Sequence, residues 1–560
     1  MNKPRILMCS EASFLQTGYS TYAKEVLTRL HNTGKYELAE FASYGLIEDD
    51  RQNDIPWLFY PNAVGASDPR HKEYASSPDN VFGKWRFDRV VLDFKPDIVF
   101  DIRDFWMNSY QCKSLFRQCY NWVVMPTVDS APQQEGWLDV YSKADAILGY
   151  SEWAGKVLGD QTNNRIKYIG EASPGVDLDT FKPLNKSKCK EVLGIPDNCT
   201  VIGSVMRNQK RKLLPDLFQS FRELLNSYEA DNNDLGKNLY LYLHTSYPDM
   251  GWDIPALLKE NSVSNRVLFT YHCKSCNEIH ASTFTHAIKS CPHCGAEACR
   301  FPSSNMGVSN NQLAVIYNTF DIYVQYAICE GFGMPQIEAG SCGVPIVSVD
   351  YSAMSDIVRK LQGYPIRVQR FFKELETEAY RAYPDNQQLV ETLKQFLFLP
   401  TPVRQKRGFE TRQLVEKYYN WDDVAKKWEK TFDEILSDPG RKTWNNTIHA
   451  MKPIESVPAF ENNYELLSYI FDHHLKNPNA FYDHINLYML KHLDYGFVID
   501  GGEIKPYKIQ NYINILNEYI KANNIAYQLM TGTATANKED YLEHAHNRLQ
   551  KKQKLDKINL

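Results

Sequence analysis

Ile328–Ser348 reads ICEGFGMPQIEAGSCGVPIVS, and the order of residue types in it sets the fold. An apolar strand-like run, Asp321–Gln325, ends just before it, and a second, Pro345–Val349, follows. Between them Gly331 and Gly333 make a turn that opens an apolar helix. A strand, a glycine turn, a helix and a strand are one unit of a parallel α/β sheet. The turn leaves free backbone N–H groups at a helix N-terminus, where hydrogen bonds and the helix dipole together hold a phosphate. Seven residues separate Glu330 from Glu338, so Glu338 lies two turns into the helix and reaches back toward the hydroxyls of a bound ribose. A glycine turn beside a surface glutamate is the plainer alternative.

The same alternation extends outward. Arg5–Ser10 is a strand, Glu11–Ser20 a loop and Thr21–His31 a helix, and strand-like runs return at Asp97–Asp101, Trp122–Met125, Ala146–Tyr150 and Val201–Val205. Strands alternating with helices on both sides of the connection ASPGVDLDTFKPL predict two doubly wound parallel sheets. The expected organisation is a first Rossmann-like lobe over 1–172 and a second over 173–437, closed by the helix-rich stretch Arg404–Leu436. An insertion over 272–300 interrupts the second lobe, and an appended, mostly helical domain covers 438–560. Helices are expected there at Tyr464–Leu475, Ala480–Leu493 and Tyr507–Ala522. The tail Asn547–Leu560 carries Arg548, Lys551, Lys552, Lys554 and Lys557 against Asp556. It reads as a frayed, solvated helix, with a polyanion contact as the alternative.

Composition narrows the classes. The 560 residues are 43% hydrophobic and 23% charged, which excludes a disordered chain and a single small binding module. With 63 basic and 68 acidic residues the net charge of −5 argues against whole-molecule attraction to nucleic acid while leaving room for local basic patches. No apolar run is long enough to span a bilayer or to serve as a signal peptide, so the reading is cytoplasmic, meaning host cytoplasm for a viral protein. Of twelve cysteines, four form the pairs Cys273-x-x-Cys276 and Cys291-x-x-Cys294, separated by fourteen residues. Four thiolates in two tight turns satisfy tetrahedral zinc, and Gly295 suits such a knuckle. The insert therefore reads as a zinc ribbon whose closed site is structural, and His272, His293 and Cys299 are spare ligands. Its task is to staple the loop, to bind an acceptor through Lys274, His280, His286, Lys289 and Arg300, or to dock a partner.

The segments EGFGMPQIEA and GVPIV resemble the signature of retaining glycosyltransferases of the GT-B fold, and in particular of glycosyltransferase family 4, glycosyl transferases group 1. ADAILGYS (Ala144–Ser151), PGVDLDTF (Pro174–Phe181) and NWDDVAKKWEKTF extend the resemblance over roughly residues 5 to 436. It implies a nucleotide-sugar donor in the cleft between the lobes, with its nucleotide on the second. In GSVMRNQKRKLLP, Arg207 and Lys212 match the cations that the family points at the diphosphate, although Lys210 and Arg211 leave the register open by a residue or two. Glu330 is then expected to hold donor-sugar hydroxyls, the N–H groups of Gly331, Phe332 and Gly333 to serve sugar or phosphate, and Glu338 to hold the ribose. Gly18, in Thr17-Gly18-Tyr19, resembles the first-lobe loop that approaches the phosphates, without the paired glycines common in the family. Where many members carry a histidine, MPTVDSAP offers Asp129, which either stabilises charge on the sugar and orients the acceptor or caps a turn. Asp177 and Asp179 form an Asp-x-Asp within the connection and read as structural, so no catalytic metal is expected.

The resulting expectation is a retaining glycosyltransferase acting by front-face transfer. The acceptor is a large polymer such as DNA carrying a modified base, as in viral DNA, or else a glycan, lipid or protein. A sugar-nucleotide epimerase and a catalytically inactive GT-B scaffold serving as a zinc-ribbon nucleic-acid or assembly module are the rival readings.

Overall fold

A computed structural model describes residues 3–163, 165–231, 233–303, 307–445, 448–455, 506–533 and 540–558. Two sheets organise the chain. In the first, parallel strands lie in the order Leu58–Ala63, Glu37–Leu46, Arg5–Glu11, Ile98–Asp101, Asn121–Val124, Ala146–Gly149 and Tyr168–Glu171. In the second, Val267–Cys273, Leu239–His244, Thr200–Val205, Ile322–Gln325, Ile346–Val349 and Tyr364–Ile366 repeat the parallel pattern. Both orders reverse direction beside their first strand, so each sheet has a crevice at the carboxyl ends of its central strands, where ligands of open α/β sheets bind.

These strands are mostly apolar because helices cover both faces: every residue of Ile98–Asp101, Asn121–Val124 and Ile322–Gln325 is buried, the polar Asp101, Asn121 and Gln325 included. The helix Trp421–Ser437, expected to close the second lobe, instead returns to the first. Its Trp428 indole N–H donates to Tyr22 Oη at 2.8 Å, and Trp428 and Phe432 pack on Phe100. The buried Trp421, Trp428 and Phe432 hold the return, and the exposed Arg29–Asp422 pair at the start of the helix adds little.

An antiparallel hairpin, Val368–Lys373 with Tyr380–Pro384, lies off the main sheets and was not anticipated from the sequence. It reaches across to the first lobe, where the Tyr380 N–H donates to Ala131 O at 2.8 Å and Gln134 Nε2 to Glu376 O at 3.2 Å.

The described C-terminal helices, Pro506–Thr531 and Asp540–Ile558, are docked on the first lobe, and Ala526, Tyr541 and Ala545 share a core with Val99 and Trp122. The expected helices Tyr464–Leu475 and Ala480–Leu493 lie outside the described residues. The tail is a helix solvated over most of its described length, with Lys551 and Lys554 exposed, but its start is anchored. Arg548 is buried and donates to the carbonyls of Gln52, Ile55 and Trp57, while His546 bonds Asp93 at 2.8 Å. The basic count misled because one of those cations caps backbone carbonyls beside the edge strand Leu58–Ala63. Arg548→Ala leaves those carbonyls without their donor and is expected to cost about 2–3 kcal/mol, read as a lower urea midpoint. Among the described residues no helix is long and apolar enough to cross a membrane.

Candidate functional site

The site forms where the loop after Ile322–Gln325 meets the segment before the helix Leu214–Ala230. Arg211–Leu213 runs antiparallel to Tyr326–Ile328, with Leu213 N–H donating to Tyr326 O at 3.1 Å and Ile328 N–H to Arg211 O at 3.0 Å. This pairing brings Lys212 onto the Glu330 carboxylate, both buried, and sets Arg211 on the other Glu330 oxygen at 2.7 Å. Gln325 Nε2 donates to Glu330 Oε1 at 2.7 Å, itself oriented by Tyr323, and the Glu330 N–H donates to Ser352 Oγ at 3.0 Å. Burial, with the neighbouring Arg211 charge second, pushes the Lys212 ammonium pKa down. The carboxylate in contact opposes that loss of charge.

Arg207 does not join this cluster. Its guanidinium makes a bidentate pair with Asp249 at 2.8 and 3.0 Å and its side chain is 50% exposed. Lys210 is exposed. Arg211, left as part of an ambiguous register by the sequence, is the second cation beside Glu330.

Two glycines have structural reasons. Gly333 caps the helix Met334–Ser341 at φ +97°, a region that favours glycine. Gly331 faces the first lobe so closely that a Cβ there would collide with the Thr127 methyl. Phe332 is buried against Tyr419. Glu338 accepts from Tyr317 Oη at 2.7 Å, and burial raises its pKa to about 7. Gly18 begins the helix Gly18–Asn32 behind the capping Thr17, with open space where its Cβ would stand.

On the first lobe Asp129 is held by Arg381 at 2.9 Å, by Ser130 Oγ at 2.9 Å and by the Cys329 thiol at 3.2 Å. Arg381 belongs to the hairpin and also pairs with Glu374 at 2.6 Å. A second carboxylate, Asp104, escaped the sequence reading. It follows Ile98–Asp101 at the crevice, with the Tyr19 and Thr127 hydroxyls against it, and burial raises its pKa to about 6, with the Asp129 charge adding to the rise. Tyr19 Oη and Thr127 Oγ1 are 2.7 Å apart.

The four cysteines converge at the edge of the second sheet, their sulfurs all within 4.8 Å of one another. Cys273–Cys294 and Cys276–Cys291 Sγ separations are 3.7 and 3.6 Å. A tetrahedron with Zn–S near 2.3 Å has an edge of about 3.8 Å, so this donor set fits zinc. The two turns are alike. Ser275 and His293 N–H groups donate to Cys273 and Cys291 sulfurs, each at 3.4 Å, and Asn277 and Gly295 take positive φ after the second cysteine of each pair. Of the basic side chains expected to face an acceptor, His280 is buried in a stack on Tyr271, and Lys289 is spent on Ser282 Oγ and Thr283 O. Lys274 and Arg300 are exposed, but so are Glu278 and Glu297.

Two facing Rossmann-like lobes, with a final helix returning to the first, make this chain a GT-B protein. Its residues 305–375 match the family Glycosyl transferases group 1. The gpi3 subunit of phosphatidylinositol N-acetylglucosaminyltransferase from Schizosaccharomyces pombe is 26% identical over 133 residues, 23% of this chain and 25% of that protein. The chain thus spans about a quarter of that curated relative. Among solved structures, sucrose-phosphate synthase of Thermosynechococcus elongatus superposes with a TM-score of 0.56 at 15% identity, covering 78% of this chain and 100% of its own. Anabaena Alr3699/HepE, solved in complex with UDP and glucose, gives 0.53 at 12% identity, covering 77% and 100%.

Proposed function

We propose that this protein is a retaining glycosyltransferase that moves a sugar from a nucleotide-sugar donor to an acceptor hydroxyl. The observation that carries the reading is the cluster of buried Lys212 and Glu330 with the half-exposed Arg211, beside the glycine turn and the N-terminus of Met334–Ser341. A diphosphate there meets two cations and free backbone N–H groups, which stabilise the charge that grows as the glycosidic bond breaks. The uridine diphosphate in a structural neighbour supports a UDP-sugar. Arg207 adds a third cation on leaving Asp249, and Gly18 gives the phosphates room on the first lobe. Glu330 orients the cations and meets donor-sugar hydroxyls, the N–H groups of Gly331 to Gly333 serve phosphate or sugar, and Glu338 takes the ribose. Asp129 stabilises positive charge on the sugar from its place beside Arg381.

In the reaction the bond from the sugar C1 to the diphosphate oxygen breaks, and the acceptor oxygen bonds to C1 on the same face. The hydroxyl proton passes to the departing diphosphate. Positive side chains and a helix terminus replace a catalytic metal, and approach of the lobes excludes water. Zinc, held by Cys273, Cys276, Cys291 and Cys294, fixes the insert. Proton NMR of the product tests the stereochemistry: an α-linked donor yields an α-linked product, and an initial β product overturns retention. A DNA duplex containing hydroxymethylcytosine and a set of glycans are the acceptor arms of that assay.

Glu338 adds a pH dependence. Because its pKa is raised to about 7, its capacity to accept from ribose hydroxyls is lost as pH falls through that value. UDP-glucose affinity, measured by calorimetry between pH 6 and pH 8, is expected to rise about threefold to tenfold with pH, and Glu338→Gln to flatten the profile.

A further inference from the structure

Beside the cleft the first lobe exposes an aromatic step that the reading above leaves unused. Trp106 is 51% exposed, far more than an indole placed for packing. It meets Trp137 edge-on at 6.5 Å, and Trp137 is stacked on Phe105 at 5.1 Å and 17°. The platform is rigid because Phe105 also packs on the buried Tyr141. It also borders the cleft. Gln134, just before the helix Glu135–Tyr141 that carries Trp137, donates to Glu376 O of the second-lobe hairpin. Asp104, two residues before Trp106, lies against Tyr19 and Thr127, and the Thr127 methyl abuts Gly331 of the donor turn. The start of the short helix Phe105–Asn108 thus lies near the donor turn, with the Asp104 carboxylate turned to the crevice and Trp106 to solvent.

The charge around this step selects the occupant. The segments 104–111 and 129–142 contain Asp104, Asp129, Glu135 and Asp139 and no lysine or arginine, although Lys113 and Lys143 stand just beyond them and the charge of Arg211 reaches Asp104 from the second lobe. The facing hairpin turn adds Glu374, Glu376 and Glu378. Lys373 pairs with Glu378, and Arg381 with Glu374 and Asp129, which leaves Asp104, Glu135, Asp139 and Glu376 as the rim's carboxylates outside those pairs. Such a rim repels a phosphate backbone. A neutral pyranose has the opposite fit: its C–H face lies on the electron-rich indole face, and its hydroxyls donate to a carboxylate.

We propose that Trp106, backed by Trp137, is the acceptor platform and that it takes an uncharged sugar ring, with Asp104 holding the hydroxyl to be glycosylated. The inference rests on the transferase reading for the fate of that hydroxyl, whose proton leaves on the diphosphate. Binding to the platform stands apart from turnover.

Saturation-transfer NMR of the full chain with cellobiose and with methyl α-glucopyranoside tests it without a donor. Ring-proton saturation is expected with wild type, to fall at least fivefold in Trp106→Ala and to recover in Trp106→Phe. A hydroxymethylcytosine duplex is expected neither to bind nor to compete. Saturation equal in wild type and Trp106→Ala, or sugar displaced by the duplex, overturns the proposal. In turnover assays Trp106→Ala is expected to raise the KM for a neutral acceptor about tenfold, and Asp104→Asn to lower kcat. Failure of every donor to release nucleoside diphosphate, with sugar still bound at Trp106, would instead defeat the transferase reading and leave the platform standing.

Discussion

Lys212→Met lowers the rate of nucleoside diphosphate release by about 10²–10³-fold, the cost of removing one preorganised donor aimed at developing charge. The fold is expected to survive, because Glu330 keeps Arg211 at 2.7 Å and Gln325 at 2.7 Å after the ammonium is gone. Methionine fills the stem volume without a polar head. Lys210→Ala, which removes an exposed neighbour, is the control and should leave the rate within about twofold. Thermal melts separate a catalytic loss from an unfolding one. A Lys212→Met protein that turns over at the wild-type rate places the diphosphate elsewhere, with Arg207 then the candidate that must leave Asp249.

Cys276→Ser is the second large effect. Structural zinc sites are worth about 10–16 kcal/mol in small peptides, and a ligand set reduced from four thiolates to three forfeits much of that. The insert has little else to hold its outer turns: its strands Ile288–Lys289 and Cys299–Arg300 are two residues each. The expected outcome is loss of bound zinc by elemental analysis and rapid tryptic cleavage at Lys274, Lys289 and Arg300, while the rest of the chain resists. Phe269, Phe301 and Tyr247 pack the base of the insert on the second-lobe core, so the damage stays local. Wild-type protein stripped by a chelator that stays resistant to trypsin and melts unchanged would show that the four sulfurs do not serve a metal.

What could be read from the sequence was local. The turn at Gly331 and Gly333, the helix behind it and the two cysteine pairs each occupy a short stretch in which residue type and spacing dictate the geometry. What escaped depends on contacts between separate segments of the chain. Arg211 joins Glu330 because Arg211–Leu213 pairs with Tyr326–Ile328, and nothing in KRK distinguishes which basic residue turns inward. Asp104 looks like any acidic loop residue until Tyr19 and Thr127 cover it. The hairpin Val368–Pro384 alternates polar and apolar residues only weakly, and its purpose, fixing Asp129 through Arg381, becomes visible when the two lobes face each other. The closing helix and Arg548 misled in the same way, since an amphipathic helix or a basic tail does not announce which surface it covers.

The central claim is that the Lys212–Glu330–Arg211 cluster stabilises a departing diphosphate. The most direct measurement is nucleoside diphosphate release from a panel of sugar nucleotides, UDP-sugars first, by wild type and Lys212→Met, with and without neutral disaccharides or hydroxymethylated DNA. The account predicts release from a restricted set of donors, stimulated by acceptor and nearly abolished by the substitution. Release from no donor, or release that Lys212→Met leaves intact, contradicts it.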